Sequence, residues 1–360
     1  MAGVESDAAG RRCRALLIPT LTRAATRADT MKTTERGHTL FVSPHASEEI
    51  LLKSFPRRRR SRPLRFAALS LFAFAFAVAL SAACRPTAAQ APAAARRAEH
   101  VFIVSFDGGK PAVMRESRMP TLFSLLPRAA STFSAQTIFP SITLPSHTSM
   151  LTGVGPEKHR VLWNNWEPEK GLVKVPTIFA LAKDQKLTTA MFVGKPKFLH
   201  LFVPKTLDEF SLPEYHARYV AEAAARYILA KKPALCFIHF ADPDGAGHAH
   251  GWGSNEQKRA FAESDAALKT VLDAINRAGI ANTSVVLISA DHGGHAKTHG
   301  LGIPDDMTIP WIAWGANVKP GTTITVPVTT YDTAATALWL LGVPLPANFD
   351  GKPVTSAFVF

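Results

Sequence analysis

Aspartates and histidines able to hold divalent cations fall in three short stretches of this 360-residue chain, each directly after an apolar run. Asp107 follows HVFIVSF. Asp242, Asp244 and His248 follow ALCFIHF, and Asp291, His292, His295 and His299 follow TSVVLIS. Carboxylates and imidazoles without thiolates suit a cation of borderline hardness, zinc first and manganese second. Three carboxylates and three imidazoles suffice for two ions: Asp107, Asp291 and His292 for one, and Asp244, His248 and His299 for the other. A fourth stretch, FPSITLPSHTSMLTG at 139–153, offers a nucleophile. Pro145 suits a first helical turn and Gly153 the position past the helix end, so Thr143 sits at a helix lip where the dipole favours negative charge. Thr137, Ser141, Ser146 and Thr148 compete with it, and the Leu-Pro start directly after Thr143 favours that residue. A cation in contact with the Thr143 hydroxyl lowers its pKa, and two cations about 4 Å apart can hold the attacking and leaving oxygens of an in-line phosphoryl transfer.

These side chains need a scaffold that brings them to one edge. Strands are expected at 100–106, 132–138, 187–193, 234–240, 283–289 and 309–314. Helices are expected at 120–126, 176–183, 213–230, 255–278 and 330–341. Strands alternating with helices predict an α/β fold with a mostly parallel central sheet covered by helices on both faces. Ligands of such sheets bind at the carboxyl ends of the strands, where the three metal-competent stretches lie.

The first hundred residues differ in kind. Residues 1–56 lack sustained periodicity. RRRRSRPLR at 57–65 and FAALSLFAFAFAVALSAAC at 66–84 make the basic, apolar and small-residue parts of a secretory signal, with an uncleaved membrane anchor as the rival reading. Cys84 loosely matches a lipoprotein box, with Leu80 one position too early. Residues 85–99 read as an Ala/Pro linker and 100–360 as the functional domain, so the expected location is exported, periplasmic or extracytoplasmic, with a membrane tether as the alternative. Residues 1–99 carry 17 of the 41 basic and 7 of the 28 acidic side chains. The remainder is therefore only +3, and a nucleic-acid-binding reading based on the net charge of +13 fails. Cys236 alone lies beyond residue 84, so the domain forms no internal disulfide.

Four stretches in order resemble the alkaline phosphatase superfamily, and most closely its type I phosphodiesterase/nucleotide pyrophosphatase branch. They are FDG at 106–108, FPSITLPSHTSMLTGVGPEKH at 139–159, PDGAGH at 243–248 and SADHGG at 289–294, and the resemblance is read as extending over 100–355. It implies an alkaline-phosphatase-like fold, two metal ions, and a small-molecule phosphoester as substrate. Residue by residue it implies Thr143 as nucleophile, Asp107, Asp291 and His292 on one metal, and Asp244 and His248 on the second. Asn164, 21 residues after Thr143, would contact a phosphoryl oxygen. The choice of His248 over His250 rests on family spacing. The branch places its last His ligand far downstream, but no His follows His299 here. The short spacing in DHGGHAKTHG looks more like the mutases of the superfamily, so His299 takes that role with His295 in reserve.

The resemblance thus points to a phosphodiesterase or nucleotide pyrophosphatase, with an alkaline-phosphatase-type phosphomonoesterase as the alternative. A mutase fits the leader poorly, and TLPSH lacks the C/S-x-P-x-R pattern of sulfatases. The non-enzyme alternative is an exported metal- or phosphate-binding protein with a dead site. Plainer readings cover the other polar residues: Asp242 as surface or supporting, His147 and His159 as structural hydrogen-bonders, and Lys195 and Lys197, in VGKPKF after a strand, as solvated lysines with pairing to a substrate phosphate as the alternative. Trp163, Trp166, Trp252, Trp311 and Trp314 offer stacking surfaces, of which Trp311 and Trp314 suit the core.

Overall fold

The computed structural model describes residues 95–360. The readings placed on the leader, including the signal, anchor and lipid-site readings, lie outside the described residues. Eight strands form one sheet: β1 (His100–Phe106), β2 (Ala129–Gln136), β3 (Thr189–Phe192), β4 (Glu209–Ser211), β5 (Leu235–Phe240), β6 (Ser284–Ser289), β7 (Thr308–Gly315) and β8 (Thr322–Thr323). Their order is β4-β3-β5-β1-β6-β7-β2-β8. β7 pairs antiparallel with both β6 and β2, and every other neighbouring pair is parallel, so β7 alone runs against the rest.

Among the described residues ten α-helices flank the sheet: α1 (Pro111–Glu116), α2 (Pro120–Leu125), α3 (Thr143–Thr152), α4 (Pro156–His159), α5 (Ile178–Asp184), α6 (Ala217–Lys231), α7 (Asp242–His250), α8 (Asn255–Arg277), α9 (Pro304–Met307) and α10 (Asp332–Leu340). The continuous apolar run of β1 reflects burial on both faces, since alternate strand residues point to opposite sides. Val101 and Ile103 join the core made with α3, α5 and α10, whereas Phe102, Val104 and Phe106 join the core made with α2, α6 and α8. This three-layer α/β arrangement is the one expected.

Some boundaries differ from expectation. β2 begins at Ala129, three residues early, where Ala129 and Ala130 pair with Trp314 and Ala313 of β7. Residues 213–216 stay outside α6, whose first N–H is taken by Asp242: Ala217 N–H donates to its Oδ2 at 2.7 Å. The end of the expected linker belongs to the domain: Arg97 and Ala98 N–H donate to Leu340 O, and Glu99 N–H to Thr283 O.

α7, whose sequence DPDGAGHAH contains two glycines, is not among the expected helices. Tertiary packing overrides the low helix propensity. A Cβ on Gly245 would collide with the Tyr215 hydroxyl, and one on Gly247 would lie 2.8 Å from the Trp252 ring. Asp242 and Asp244 in the first turn complement the dipole, and Pro243 there forfeits no hydrogen bond. Among the described residues no helix is long and apolar enough to cross a membrane.

Candidate active site

Sheet order explains why residues distant in sequence meet. β1 lies between β5 and β6, with Phe106 level with Phe240 and Ser105 level with Ser289. Asp107, α7 and the Asp291-His292 turn therefore emerge side by side. α3 follows β2 on the same edge, and Lys195 follows β3 there too.

Two groups of potential ligands result. Asp107, Asp291 and His292 are all buried, and each offers a ligand atom within 4.8 Å of the others. Asp244, His248 and His299 meet the same criterion, with His248 exposed. α7 places Asp244 and His248 one turn apart on the same face. These are the two expected sets. His295 is excluded from both: its Nδ1 lies 2.7 Å from Asp306 Oδ1, in the loop that turns back into β7. His250 ends α7 on the exposed side.

A physical test of cation binding is whether the donor atoms are otherwise satisfied. Asp107 Oδ2 is held by Lys195 Nζ and His239 Nε2, each at 2.7 Å. Asp244 Oδ2 accepts from Lys195 Nζ at 2.5 Å, and Asp291 Oδ1 from Gly108 N–H at 3.1 Å. The second oxygen of each carboxylate, Asp107 Oδ1, Asp244 Oδ1 and Asp291 Oδ2, is buried without a hydrogen-bond partner. Those free oxygens face ring nitrogens. His292 Nε2 is 3.5 Å from Asp107 Oδ1 and 3.1 Å from Asp291 Oδ2. His248 Nε2 and His299 Nε2 are 3.3 and 3.5 Å from Asp244 Oδ1.

In all three rings Nδ1 lies on a backbone carbonyl: Gly293 for His292, Lys297 for His248 and Ser141 for His299. An Nδ1–H donating to a carbonyl leaves Nε2 as a lone pair, the arrangement that orients imidazole ligands. His248 Nε2 and His299 Nε2 face each other at 3.1 Å. Orphaned buried carboxylate oxygens aimed at imidazole lone pairs leave a strong electrostatic demand for cations, and the donor set fits two divalent ions.

The charge balance shows in the pKa values. Burial works to raise Asp107, yet Lys195, His239 and His292 outweigh it and hold its carboxyl well below the usual range. Burial works to lower His292, yet Asp291 and Asp107 lift it to about 9, so in the absence of a cation a proton on Nε2 takes the place between the two carboxylates, and a cation bound there would displace it. His299 moves the other way, lowered to about 4 by burial and by the nearby His292, whose ring stacks on it at 3.7 Å.

Thr143 is the first residue of α3, preceded by an extended Ile142 and followed, past the helix end, by Gly153 at φ 70°. Its Oγ1 lies 3.4 Å from His292 Nε2, beside the buried set. Ser146, a competing hydroxyl, donates to Asp291 O, and Ser141 to Leu301 O. Thr137 Oγ1 bonds Ser146 Oγ at 2.7 Å, and Thr148 Oγ1 donates to Leu144 O. Asn164 Oδ1 accepts from Leu144 N–H at 2.9 Å, which pins its amide to the N-terminus of α3.

His147 and His159 occupy structural positions. His147 bonds Ser105 Oγ at 2.8 Å and Thr143 O at 2.8 Å, and His159 bonds Ser149 Oγ at 3.0 Å. Asp242 ties His216 and the start of α6. Trp311 is fully buried and Trp314 packs against the core. Trp252 walls the site instead, its Nε1 donating to Gly108 O and its ring edge-on to His248. Trp163 and Trp166 pack against His200.

Three residues depart from, or are absent from, the sequence reading. Lys195 is not a solvated lysine: it is buried and bridges Asp107 and Asp244. Lys197 is half-buried, with Nζ 3.0 Å from Asn164 Oδ1. His239 went unread inside LCFIHF, although a lone imidazole in an otherwise apolar strand is a signal of a buried polar partner. The signal for Lys195 was its place after β3, at the same sheet edge as the other site residues.

The family model described as type I phosphodiesterase / nucleotide pyrophosphatase matches residues 101–301. The match stops short of the tail to 355 that the sequence motifs suggested. Ectonucleotide pyrophosphatase/phosphodiesterase family member 7 of Mus musculus is 24% identical over 221 residues, covering 55% of this chain and 50% of that protein. Bis(5'-adenosyl)-triphosphatase ENPP4 of Bos taurus is 21% identical over 215 residues, covering 54% and 47%. The chain thus spans about half the length of these curated relatives. Among solved structures, murine ectonucleotide pyrophosphatase/phosphodiesterase 5, an inactive Thr→Ala variant in complex with AMP, aligns with TM-score 0.64 at 13% identity, covering 72% of this chain and 100% of that one. A 2-O GAG sulfatase aligns with TM-score 0.60 at 15% identity, covering 72% and 74%. At these identities the structural likeness establishes the alkaline-phosphatase-like fold.

Proposed function

This chain belongs to the type I phosphodiesterase / nucleotide pyrophosphatase family, and from that premise we propose that it hydrolyses phosphoric esters with Thr143 as nucleophile. The observation that carries this reading is the pairing of orphaned oxygens on Asp107, Asp244 and Asp291 with the Nε2 atoms of His248, His292 and His299, beside the Thr143 hydroxyl. Asp107, Asp291 and His292 would hold one divalent ion and Asp244, His248 and His299 a second, zinc first and manganese second. Such ions supply Lewis acidity, lowering the pKa of the nucleophile and stabilising negative charge on the reacting oxygens.

The protein's own side chains do the rest. Thr143 Oγ1 gives up its proton and attacks phosphorus as the bond to the leaving oxygen breaks, and that oxygen takes up a proton, giving a phosphothreonine and a released alcohol or phosphate. Water then attacks the phosphothreonine from the vacated side, restores the hydroxyl and releases the phosphoryl product. The α3 N-terminus favours the developing charge, and Asn164 donates from its amide nitrogen, since its oxygen is already engaged. Lys195 and His239 fix the Asp107 carboxylate, and the backbone carbonyls fix the three imidazoles.

Thr143 with Asn164 supports phosphodiesters or nucleotide pyrophosphates as substrates, in keeping with the activities for which the relatives are named. A phosphomonoesterase is the second reading, favoured by the two lysines at the site. The basic, apolar and small-residue leader supports export. Metal analysis with rates on bis-p-nitrophenyl phosphate, p-nitrophenyl phosphate and a nucleotide p-nitrophenyl ester tests the reading. Two equivalents of metal and turnover lost in Thr143→Ala are expected; a chain with neither metal nor turnover would be the binding protein instead.

A further inference from the structure

The Thr143 backbone is gripped by a side chain of its own helix. One turn further along α3, the buried His147 ring folds back over the first turn, and its Nδ1 lies 2.8 Å from Thr143 O. A carbonyl oxygen can only accept, so Nδ1 carries the hydrogen. Burial pushes this imidazole down to about 4, so near pH 7 the ring is neutral and its Nε2 is a lone pair. That lone pair accepts from Ser105 Oγ of β1 at 2.8 Å. A half-turn of the ring would set carbon atoms against both partners. Phe198, Phe237 and His239 stand edge-on around it, at centroid distances of 4.9, 5.7 and 5.1 Å.

The same Nδ1 lies 3.4 Å from Asp291 Oδ2, the oxygen of that carboxylate without a hydrogen-bond partner. One residue earlier, Ser146 Oγ donates to Asp291 O at 2.7 Å. The first turn of α3 is thus tied twice to the turn that carries Asp291 and His292, and once to β1. By contrast, the Thr143 hydroxyl itself has only a long contact, 3.4 Å to His292 Nε2.

We propose that His147 is a positioning residue whose Nδ1–H locks the Thr143 carbonyl against the Asp291 turn and so sets the line along which the Thr143 hydroxyl meets phosphorus. The proposal rests on Thr143 as nucleophile and adds what aims it. The hydroxyl and the carbonyl branch from one Cα, so the hydroxyl is placed only as firmly as the first turn. Misplacing a reacting atom by about 1 Å costs up to about 100-fold in rate. A loss of this kind leaves the metal ligands untouched, which separates the role of His147 from theirs.

The test uses the full chain loaded with zinc and two substitutions that each keep half of the imidazole. His147→Asn keeps a donor at the place of Nδ1 and gives up the contact with Ser105. His147→Gln keeps a polar group at the place of Nε2 and gives up the donor. On bis-p-nitrophenyl phosphate, His147→Gln is expected to lower kcat about 10- to 100-fold, with KM within about threefold and the metal content of the wild type. His147→Asn should stay within about threefold of the wild-type kcat. Equal losses in both variants, or metal lost from His147→Gln, would give the ring a general structural role; wild-type rates in both would remove it from the reaction. Each of these results overturns the proposal. A second measurement needs neither turnover nor a change at His147: nitrogen-15 NMR of the metal-free chain labelled at histidine. The ring signal that moves in Ser105→Ala should be that of a neutral imidazole protonated at Nδ1, and protonation at Nε2 alone would overturn the proposal. If Thr143→Ala keeps the wild-type rate, the nucleophile reading falls, and the NMR signal still decides whether His147 holds the Thr143 carbonyl.

Discussion

The two ligand sets share a chemistry and differ in their exposure. Asp107, Asp291 and His292 are sealed inside the domain, tied to Lys195, His239 and Gly108, and close on Thr143. In the second set only His248 reaches the surface, its side chain 45% exposed, while the Asp244 and His299 side chains are 6% and 5% exposed. A charged cluster that cannot reach water must be satisfied by the protein or by a cation, and the closed set lies beside Thr143, the proposed nucleophile. Through His248 the second set is open to solvent, on the side the proposed mechanism gives to the leaving group.

Removing the nucleophile is the largest test of this contrast. Thr143→Ala should lower kcat by about a thousandfold or more while both sets retain metal, measured by steady-state rates and metal analysis. Loss of metal on that substitution would tie the hydroxyl to the closed set as a ligand rather than as an attacking group alone. One substitution in each set comes next. Asp291→Asn and His299→Ala should each remove one metal equivalent and lower kcat/KM by about 100-fold. His295→Ala should keep both equivalents, because that ring faces Asp306; a lost equivalent there would redraw the open set. A chelator should then empty the site in two phases, with the open set released about tenfold faster. His248→Ala should abolish the fast phase, and a single phase in the wild type would erase the distinction between the sets.

The smallest effect concerns the support behind the closed side. His159 bonds Ser149 on α3, and burial lowers its pKa to about 4 from the ordinary 6.5. Between those values the unfolded chain binds the extra proton, so stability rises with pH across that window and falls as pH drops from 6.5 toward 4. His159→Gln should flatten that slope by about 2 kcal/mol, read by denaturant unfolding at pH 7 and pH 4.5. An unchanged slope would place the acid sensitivity in the ligand sets.

Much of this site is readable from local pattern. Asp107, Asp244 and Asp291 follow apolar runs, and a buried strand ending in a polar turn announces the sheet edge. The Leu-Pro start and Gly153 mark α3, because helix ends have strong local chemistry. α7 is not legible locally because two glycines lower its helix propensity, and Trp252 and Tyr215, the latter distant in the chain, pack against them. Lys195 read as a surface lysine because nothing in VGKPKF records that β3 lies one strand from β1, where its ammonium meets two carboxylates.

The sequence alone determined which chemistry was on offer: three carboxylates, three imidazoles and a hydroxyl at strand and helix ends, together with motifs whose family the profile match bears out. Tertiary structure decided the assignments that depend on distance across the sheet. It put His299 beside Asp244 and His295 on Asp306, drew Lys195 between two carboxylates, and left Lys197 on Asn164. Ring orientation, charge compensation and solvent access come from neighbours contributed by β3, β5, β1 and β6, strands adjacent in space and separated by tens of residues in the chain.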